Sequence, residues 1–242
     1  MSNKIKLLVS PKNIQEAKIT INSNVDYIDC KNPKEGSLGA NFPWIIKEMK
    51  HLIPKESAQL LSATLGDFPY LPGSASLAAL GAAVSGADII KIGLKGPNSE
   101  KQGIKLMKNV VKAVKDYNED ILIVTAGYAD KYRMESSPEF LMLPTIAAES
   151  GSDIVMLDTF IKDGKGLFDF LTLSQLKKFK AKAKSLNLKI ALAGSLKMDD
   201  LSAIKEISPE IIGVRSLVCE GFDRNNGIIK PDLIEELKNK LN

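Results

Sequence analysis

Charged side chains interrupt three short apolar segments of this sequence, where a buried strand would carry only apolar residues. The segment YIDCK contains Asp29 and Lys31, which the two-residue period of a β-strand places on one face. Lys91 alternates with isoleucines in IIKIG, Asp158 ends the segment IVMLD, and Lys162 follows in the next loop. A neutral lysine forms a Schiff base with a carbonyl, a charged lysine manages protons and phosphate, and carboxylates assist in proton transfer. These residue types predict lysine-based chemistry.

The rest of the composition offers few other catalytic groups. The 242 residues contain one histidine and two cysteines, and His51 lies in a segment with helical spacing, where it should point away from any site. Ser/His/Asp and Cys/His catalysis are therefore disfavoured. Because the sequence has no CxxC pair and no nicotinamide or flavin signature, we expect no zinc site and no added cofactor.

Charge and hydropathy are typical of a folded protein of the cytoplasm. Hydrophobic residues make up 44% of the chain and charged residues 26%, and the net charge is +4. This charge is too small to indicate nucleic-acid binding, and no apolar stretch has the length of a signal peptide or a membrane span. We interpret the lysine run at 177–184 as the solvated face of an outer helix. We expect a small-molecule substrate, no nucleic acid and no membrane partner, and the sequence leaves a homo-oligomer open.

Short β-branched apolar segments alternate with segments of helical spacing along the whole chain, and this pattern predicts a parallel sheet. Eight such β-then-α units in a chain of this length match an α/β fold, a single-domain (β/α)8 TIM barrel over residues 1–242. An open doubly wound sheet is the alternative, but no GxGxxG turn follows the first strand. The predicted strands are 5–10, 27–31, 59–64, 89–93, 121–127, 154–159, 189–194 and 211–216, and the predicted helices are 13–23, 43–52, 76–85, 100–117, 143–150, 173–186, 199–207 and 232–241.

A barrel of this kind brings the charged residues together. Catalytic groups come from the carboxyl ends of the strands, and alternate strands contribute to one side-chain layer. The charged residues lie on the second, fourth and sixth predicted strands, so we expect them to converge. A structural ion pair is the alternative for any one of them, but several buried charges at one end of a core are costly unless they have a use. Burial and neighbouring lysines lower a lysine pKa while aspartates raise it, and the sequence leaves the balance open.

The last two predicted strands end in glycines that predict a phosphate site. The segment LAGS contains Gly194 and Ser195, and IGVRS contains Gly213 and Arg215. Barrel enzymes commonly bind phosphate in the loops after these two strands, where glycines let backbone N–H groups approach the anion. Ser195 and Arg215 would add a hydroxyl and a guanidinium donor.

Three further loops follow strands and should lie over the site. They span residues 32–41, 66–73 and 162–169, and their glycines and prolines are compatible with lids or with well-folded turns. Asp67 and Lys165 are the side chains of these loops that we expect to come nearest to a substrate.

Several longer segments carry a resemblance to a known family. They are DCKNPKEGSLGANFPW at 29–44, SATLGD at 62–67, IKIGL at 90–94, MLDT at 156–159, IKDGK at 161–165 and GFDRNNG at 221–227. In this order they resemble the (5-formylfuran-3-yl)methyl phosphate synthase (4-HFC-P synthase) family of methanofuran biosynthesis. Cys30 stands in the first segment where relatives can carry an aliphatic residue, and its side chain should face the helices.

The resemblance implies a barrel enzyme of the lyase class, acting on phosphates. It implies that two molecules of glyceraldehyde 3-phosphate are condensed into a phosphorylated furaldehyde, with loss of one phosphate and water. It also implies that Lys31 is the Schiff-base lysine and Lys91 the proton acceptor, assisted by Asp29, Asp158 and Lys162. The alternatives are another class I (Schiff-base) aldolase acting on sugar phosphates and, more distantly, a non-catalytic binder of phosphorylated metabolites or nucleic acid.

Overall fold

Eight parallel strands pair in sequence order, and the eighth pairs with the first, so that the sheet closes into a barrel. The computed structural model describes residues 4–241, which form one domain with helices between the strands. The predicted TIM barrel is confirmed. The strands are β1 Lys6–Val9, β2 Tyr27–Cys30, β3 Leu60–Phe68, β4 Ile89–Leu94, β5 Leu122–Tyr128, β6 Ile154–Asp158, β7 Lys189–Leu192 and β8 Ile211–Val214.

Helices follow the strands and form the outer layer. They are α1 Ile14–Asn22, α2 Pro43–Leu52, α3 Pro72–Val84, α4 Glu100–Lys115, α5 Leu143–Ser150, α6 Leu167–Phe170, α7 Leu173–Ser185, α8 Leu201–Ile207 and α9 Pro231–Leu241. Local sequence fixes several of their starts. The side chains of Asn13, Ser99 and Thr172 accept hydrogen bonds from backbone N–H groups in the first turns of α1, α4 and α7. Proline stands at the first position of α2, α3 and α9.

The strands separate two apolar cores. The outer core lies between strands and helices and contains Ile28 and Cys30, as the alternation in β2 predicted. The inner core fills the barrel with Leu8, Tyr27 and Ile89 among others. Because each strand alternates between these cores, a charged residue on the inner face can reach only the barrel interior or its mouth.

The structure corrects the predicted loop at 66–73. β3 continues past its predicted end to Phe68, so Asp67 is a strand residue that pairs with Gly93. A bulge between Thr64 and Asp67 makes this possible, and Gly66 adopts a φ of 117° within it. A glycine next to a strand segment is typical of a turn, so the sequence predicts that β3 ends before Gly66.

Three other differences are local. α3 begins at Pro72, four residues before its predicted start at 76. α6 was not predicted, because four residues make one helical turn and give no periodic signal. α8 begins two residues later than predicted, after a 3₁₀ turn at Met198–Asp200. His51 is exposed on α2, and the lysines of α7 flank a buried apolar face, as expected. None of the helices within residues 4–241 has the length and apolar character needed to cross a bilayer.

Candidate active site

A cavity lies at the carboxyl ends of the strands, and polar side chains from six strands and their loops line it. The sequence-predicted residues converge here, with the exception of Asp67 and Lys165. The lining comprises Leu8, Ser10, Asp29, Lys31, Lys91, Met156, Asp158, Lys162, Ala193, Gly194, Ser195, Leu196, Gly213, Val214, Arg215, Ser216 and Arg224.

Lys91 and Asp29 form a buried ion pair on one side of the cavity. The Lys91 Nζ lies 2.9 Å from Asp29 Oδ1, and both side chains are 1% exposed. Ser10 donates its hydroxyl to the other carboxylate oxygen at 2.9 Å. Burial acts to raise the pKa of Asp29, but the charges of Lys91 and Lys31 and these hydrogen bonds hold it below its ordinary value. Asp29 is therefore a carboxylate that fixes Lys91.

Lys162 and Asp158 form a second ion pair across the carboxyl end of β6. Their closest atoms are 2.5 Å apart, and Lys162 also donates to the Thr159 hydroxyl at 3.2 Å. Burial acts to raise the pKa of Asp158, while Lys162 and Lys31 lower it below its ordinary value. Burial lowers the pKa of Lys162 despite the opposing charge of Asp158. The pair brings a proton donor and an acceptor to one position.

Lys31 lies near both pairs and belongs to neither. It is 7% exposed, and within residues 4–241 its amine has no hydrogen-bond or ion-pair partner. Burial lowers its pKa to about 8, with Asp29 and Asp158 opposing and Lys162 and Lys91 assisting. A lysine with this pKa is partly neutral near neutral pH, and a neutral amine is the nucleophile that forms a Schiff base. Among the three inward lysines, the geometry favours Lys31 for this role.

The loop after β7 provides free backbone N–H groups. Gly194 has a φ of 104°, and a Cβ there would come 2.9 Å from the backbone nitrogen of Thr159. Ser195 also adopts a positive φ, of 45°, which is strained for a residue with a side chain. None of the hydrogen bonds found between residues 4 and 241 uses the N–H of Gly194, Ser195 or Leu196. These N–H groups are available to donate to an anion, and the phosphate site at this loop stays a prediction.

Arg215 lines the cavity, but other groups already engage its guanidinium. Its Nη1 donates to Glu16 and to the backbone oxygen of Ser10, each at 2.8 Å, and its Nε donates to the backbone oxygen of Arg224 at 2.8 Å. Glu16 is 2% exposed, so this ion pair is buried. A phosphate would have to share Arg215 with Glu16. Gly213 lies two residues before Arg215. A Cβ added at Gly213 would come only 3.2 Å from the Ala193 Cβ, so a glycine there keeps the cavity open.

The structure does not bring Asp67 together with the other predicted site residues. Its carboxylate accepts hydrogen bonds from the backbone N–H groups of Ser37 at 2.8 Å and Leu38 at 3.2 Å, and from the Tyr128 hydroxyl. Burial and the charge of Asp67 raise the pKa of Tyr128 well above its ordinary value. The carboxylate therefore anchors the 32–41 loop. Lys165 is exposed and lines none of the cavities at the barrel mouth.

Sequence reasoning missed three polar lining residues: Ser10, Ser216 and Arg224. Ser10 ends the first predicted strand and Ser216 the last, so the rule that strand ends carry the site could have found both. Arg224 lies in the loop GFDRNNG, where nothing periodic distinguishes it. It is half-buried, and burial lowers its pKa below the ordinary value.

Solved structures share this barrel. They include KGPDC from Streptococcus mutans, with a TM-score of 0.63 and 14% identity over 98% of this chain and 99% of that one. A 3-hexulose-6-phosphate synthase has a TM-score of 0.66 and 17% identity over 98% of this chain and 99% of that one. At such identities the likeness shows the fold alone.

Sequence relatives are much more similar. The (5-formylfuran-3-yl)methyl phosphate synthase of Methanocaldococcus jannaschii is 55% identical over 232 residues, 96% of this chain and 97% of that protein. The protein of the same name from Methanothermobacter thermautotrophicus is 49% identical over 235 residues, 97% of this chain and 98% of that protein. The profile of the 4-HFC-P synthase family matches residues 7–238. The resemblance found in the sequence is confirmed, and the chain belongs to the 4-HFC-P synthase family.

Proposed function

We propose that this protein condenses two molecules of glyceraldehyde 3-phosphate into (5-formylfuran-3-yl)methyl phosphate in methanofuran biosynthesis, with Lys31 as the Schiff-base nucleophile. Two relatives that it matches over nearly their whole length carry the name of this synthase. The observation that carries the chemistry is the Lys31 amine, which is buried and unpaired among the described residues and whose pKa is lowered to about 8. Lysine Schiff bases turn a carbonyl compound into a carbon nucleophile, as a condensation requires.

The first stage joins one triose phosphate to the protein. The neutral Lys31 amine attacks the carbonyl carbon, and the carbonyl oxygen leaves as water when the iminium forms. The positively charged nitrogen then draws electrons from the adjacent carbon, and loss of a proton from that carbon gives an enamine. We assign this proton transfer to the Lys91–Asp29 pair, whose donor and acceptor atoms are 2.9 Å apart.

The second stage forms the carbon–carbon bond. The second triose phosphate is isomerised to its ketose by proton transfer from its second carbon to its first. The enamine at Lys31 expels the phosphate from its third carbon, and that carbon, now part of an enol, attacks the ketone carbon of the second molecule. The resulting alkoxide takes a proton from Lys162, which Asp158 holds in place. The hydroxyl on the first carbon of the second molecule then closes the ring on the carbonyl carbon of the first, and loss of two water molecules forms the furan. Hydrolysis of the iminium consumes the water released in the first stage and frees Lys31, so one phosphate and two water molecules are lost in all. The free N–H groups of the loop after β7 hold the phosphate of the molecule bound to Lys31 until it leaves.

The test is to incubate the purified protein with glyceraldehyde 3-phosphate alone. A furaldehyde phosphate should form, measured by near-ultraviolet absorbance, released phosphate and product mass. Borohydride should trap a triose on Lys31 in the parent protein and not in Lys31→Arg; intact labelling of that variant would refute the assignment. A trapped triose without furan would instead indicate a Schiff-base aldolase acting on other sugar phosphates, and neither adduct nor turnover would indicate a binding protein.

A further inference from the structure

Arg224 lies at the junction of three cavities at the barrel mouth. It lines the central cavity that contains Lys31, a neighbouring cavity of about 580 Å³ and another of about 350 Å³. Its side chain is half-buried, yet within the described part of the chain its guanidinium has no hydrogen-bond or ion-pair partner. A partly desolvated charge without a counter-ion is costly, so the position favours an anionic ligand.

The 350 Å³ cavity carries an excess of positive charge. Its lining includes the cations Lys12, Lys162, Arg215 and Arg224. Glu16 serves two of these cations, because it pairs with Arg215 at 2.8 Å and with Lys12 at 3.8 Å. Asp158 pairs with Lys162 at 2.5 Å. Asp158 also acts on Arg224 through its charge, but neither carboxylate forms an ion pair with it.

The loop that carries Arg224 is held in place by its own hydrogen bonds. Arg215 donates to the Arg224 backbone oxygen at 2.8 Å. Asp223 accepts from the backbone N–H groups of Asn225 at 2.8 Å and Asn226 at 3.2 Å. The guanidinium is therefore presented from a fixed backbone, which reduces the entropy lost when it binds a ligand.

We infer that Arg224, together with Lys12 in the 350 Å³ cavity, forms a second phosphate subsite, separate from the loop after β7. This inference rests on the proposed function, in which two phosphorylated substrates occupy the barrel mouth at once. The subsite holds the phosphate of the second triose phosphate while the first is bound to Lys31. The cavity has the volume of a small-molecule site, and it shares Lys162 and Arg224 with the central cavity, so one ligand can reach both. A guanidinium suits a phosphate because it donates two parallel hydrogen bonds.

The decisive variant is Arg224→Gln, read out at two stages of the reaction. The amount of borohydride-trapped triose on Lys31 at a given substrate concentration reports the first molecule, and the rate of furan formation at low substrate reports both. We expect trapping within about twofold of the parent protein and furan formation reduced by about thirtyfold, the loss expected for a charged hydrogen-bond donor. Inhibition by inorganic phosphate should weaken in the same variant.

Lys230→Gln is the matched control. Lys230 follows the same loop and carries the same charge, but it pairs with Glu220 at 3.4 Å and lines none of the three cavities. We expect this variant to keep parent levels of trapping, furan formation and phosphate inhibition. An equal loss of furan formation in Lys230→Gln would mean that general charge in the loop, and not a subsite at Arg224, causes the effect, and would overturn the inference.

Crystals soaked in inorganic phosphate provide a readout that does not need turnover. The parent protein should show phosphate within hydrogen-bond distance of Arg224 as well as at the loop after β7, and Arg224→Gln should keep only the second. Absence of phosphate at Arg224 in the parent protein, unchanged furan formation in the variant, or an equal fall of trapping and furan formation would each overturn the inference. If the parent protein makes no furan, the proposed function fails, while the soaked crystals still decide whether Arg224 binds phosphate.

Discussion

Trapping of a triose on Lys31 should follow the titration of one amine with a pKa of about 8. Only the neutral amine attacks a carbonyl, so the trapping rate at low substrate is proportional to its neutral fraction. With this pKa the neutral fraction is about one-hundredth at pH 6, about one-tenth at pH 7, about half at pH 8 and about nine-tenths at pH 9. The rate should therefore rise about tenfold from pH 6 to 7 and less than about twofold from pH 8 to 9.

The assay is single-turnover trapping with sodium cyanoborohydride, in which mass spectrometry counts the triose bound to Lys31 at each pH. A lysine with the ordinary pKa of about 10.4 would give a rate that still rises about tenfold per pH unit up to pH 10. Such a profile would refute the conclusion that burial depresses the Lys31 pKa. Lys31→Arg gives the background, because its guanidinium stays charged throughout this range.

Removing the Asp158 carboxylate tests the direction in which a neighbouring charge shifts the pKa of Lys31. The negative charge of Asp158 raises the pKa of Lys31, and the positive charge of Lys162 lowers it. Asp158 also pairs with Lys162 and so partly cancels its charge. In Asp158→Asn the midpoint of the trapping profile should move to lower pH, by about one unit. Asp163→Asn is the control, because Asp163 lies in the following loop, is paired with Arg133 at 2.5 Å and is exposed. A midpoint that moves upward in Asp158→Asn, or that moves equally in the control, would contradict the assigned charges.

Three further variants test the supports of the site. Arg215→Ala should lower the free energy of unfolding by about 3 kcal/mol, because it removes the shorter ion pair of the buried Glu16 carboxylate and leaves only Lys12, at 3.8 Å, as its counter-ion. Urea unfolding measures this loss, and an unchanged midpoint would argue against the pairing. Gly194→Ala should destabilise the protein by about 1–3 kcal/mol because of its positive φ and close neighbours, whereas Gly73→Ala, where an added Cβ has no neighbour within 4 Å, should not; paired melting curves compare them. Asp67→Asn should lower the melting temperature by about 2–6 °C and leave the amount of triose trapped on Lys31 within about twofold of the parent protein. A large loss of trapping with normal stability would instead mean that Asp67 contacts the substrate.

The alternation of charged and apolar residues was sufficient to place the central cluster. In a strand the faces alternate strictly, so apolar residues that pack against the helices force their neighbours Asp29, Lys31 and Lys91 into the barrel. The eight strands and most helix starts were also predictable, because local periodicity and first-turn prolines report them directly. These features depend on neighbours within a few residues.

Contacts between distant segments were beyond this reasoning. Glu16 on α1 and Arg215 after β8 meet because the barrel closes between its first and last strands. The local sequence of either segment does not predict the other as its partner. Asp67 was placed in a loop because the glycine before it resembles a turn, and its true partners lie about thirty residues away in sequence. Arg224 is distinguished by the absence of a partner within the described residues, which is a property of the folded chain alone.

The ion pairs on either side of Lys31 come from different halves of the chain. Asp29, Lys31 and Lys91 belong to the half built from β1 to β4, whereas Asp158 and Lys162 belong to the half built from β5 to β8. A half-barrel of either kind would hold at most one of the two ion pairs. The complete set exists only after both seams between the halves have formed, at β4–β5 and at β8–β1. Two co-expressed halves of this chain would therefore recover the proposed chemistry only by forming the closed eight-stranded barrel. The rate of turnover would then be proportional to the amount of closed barrel.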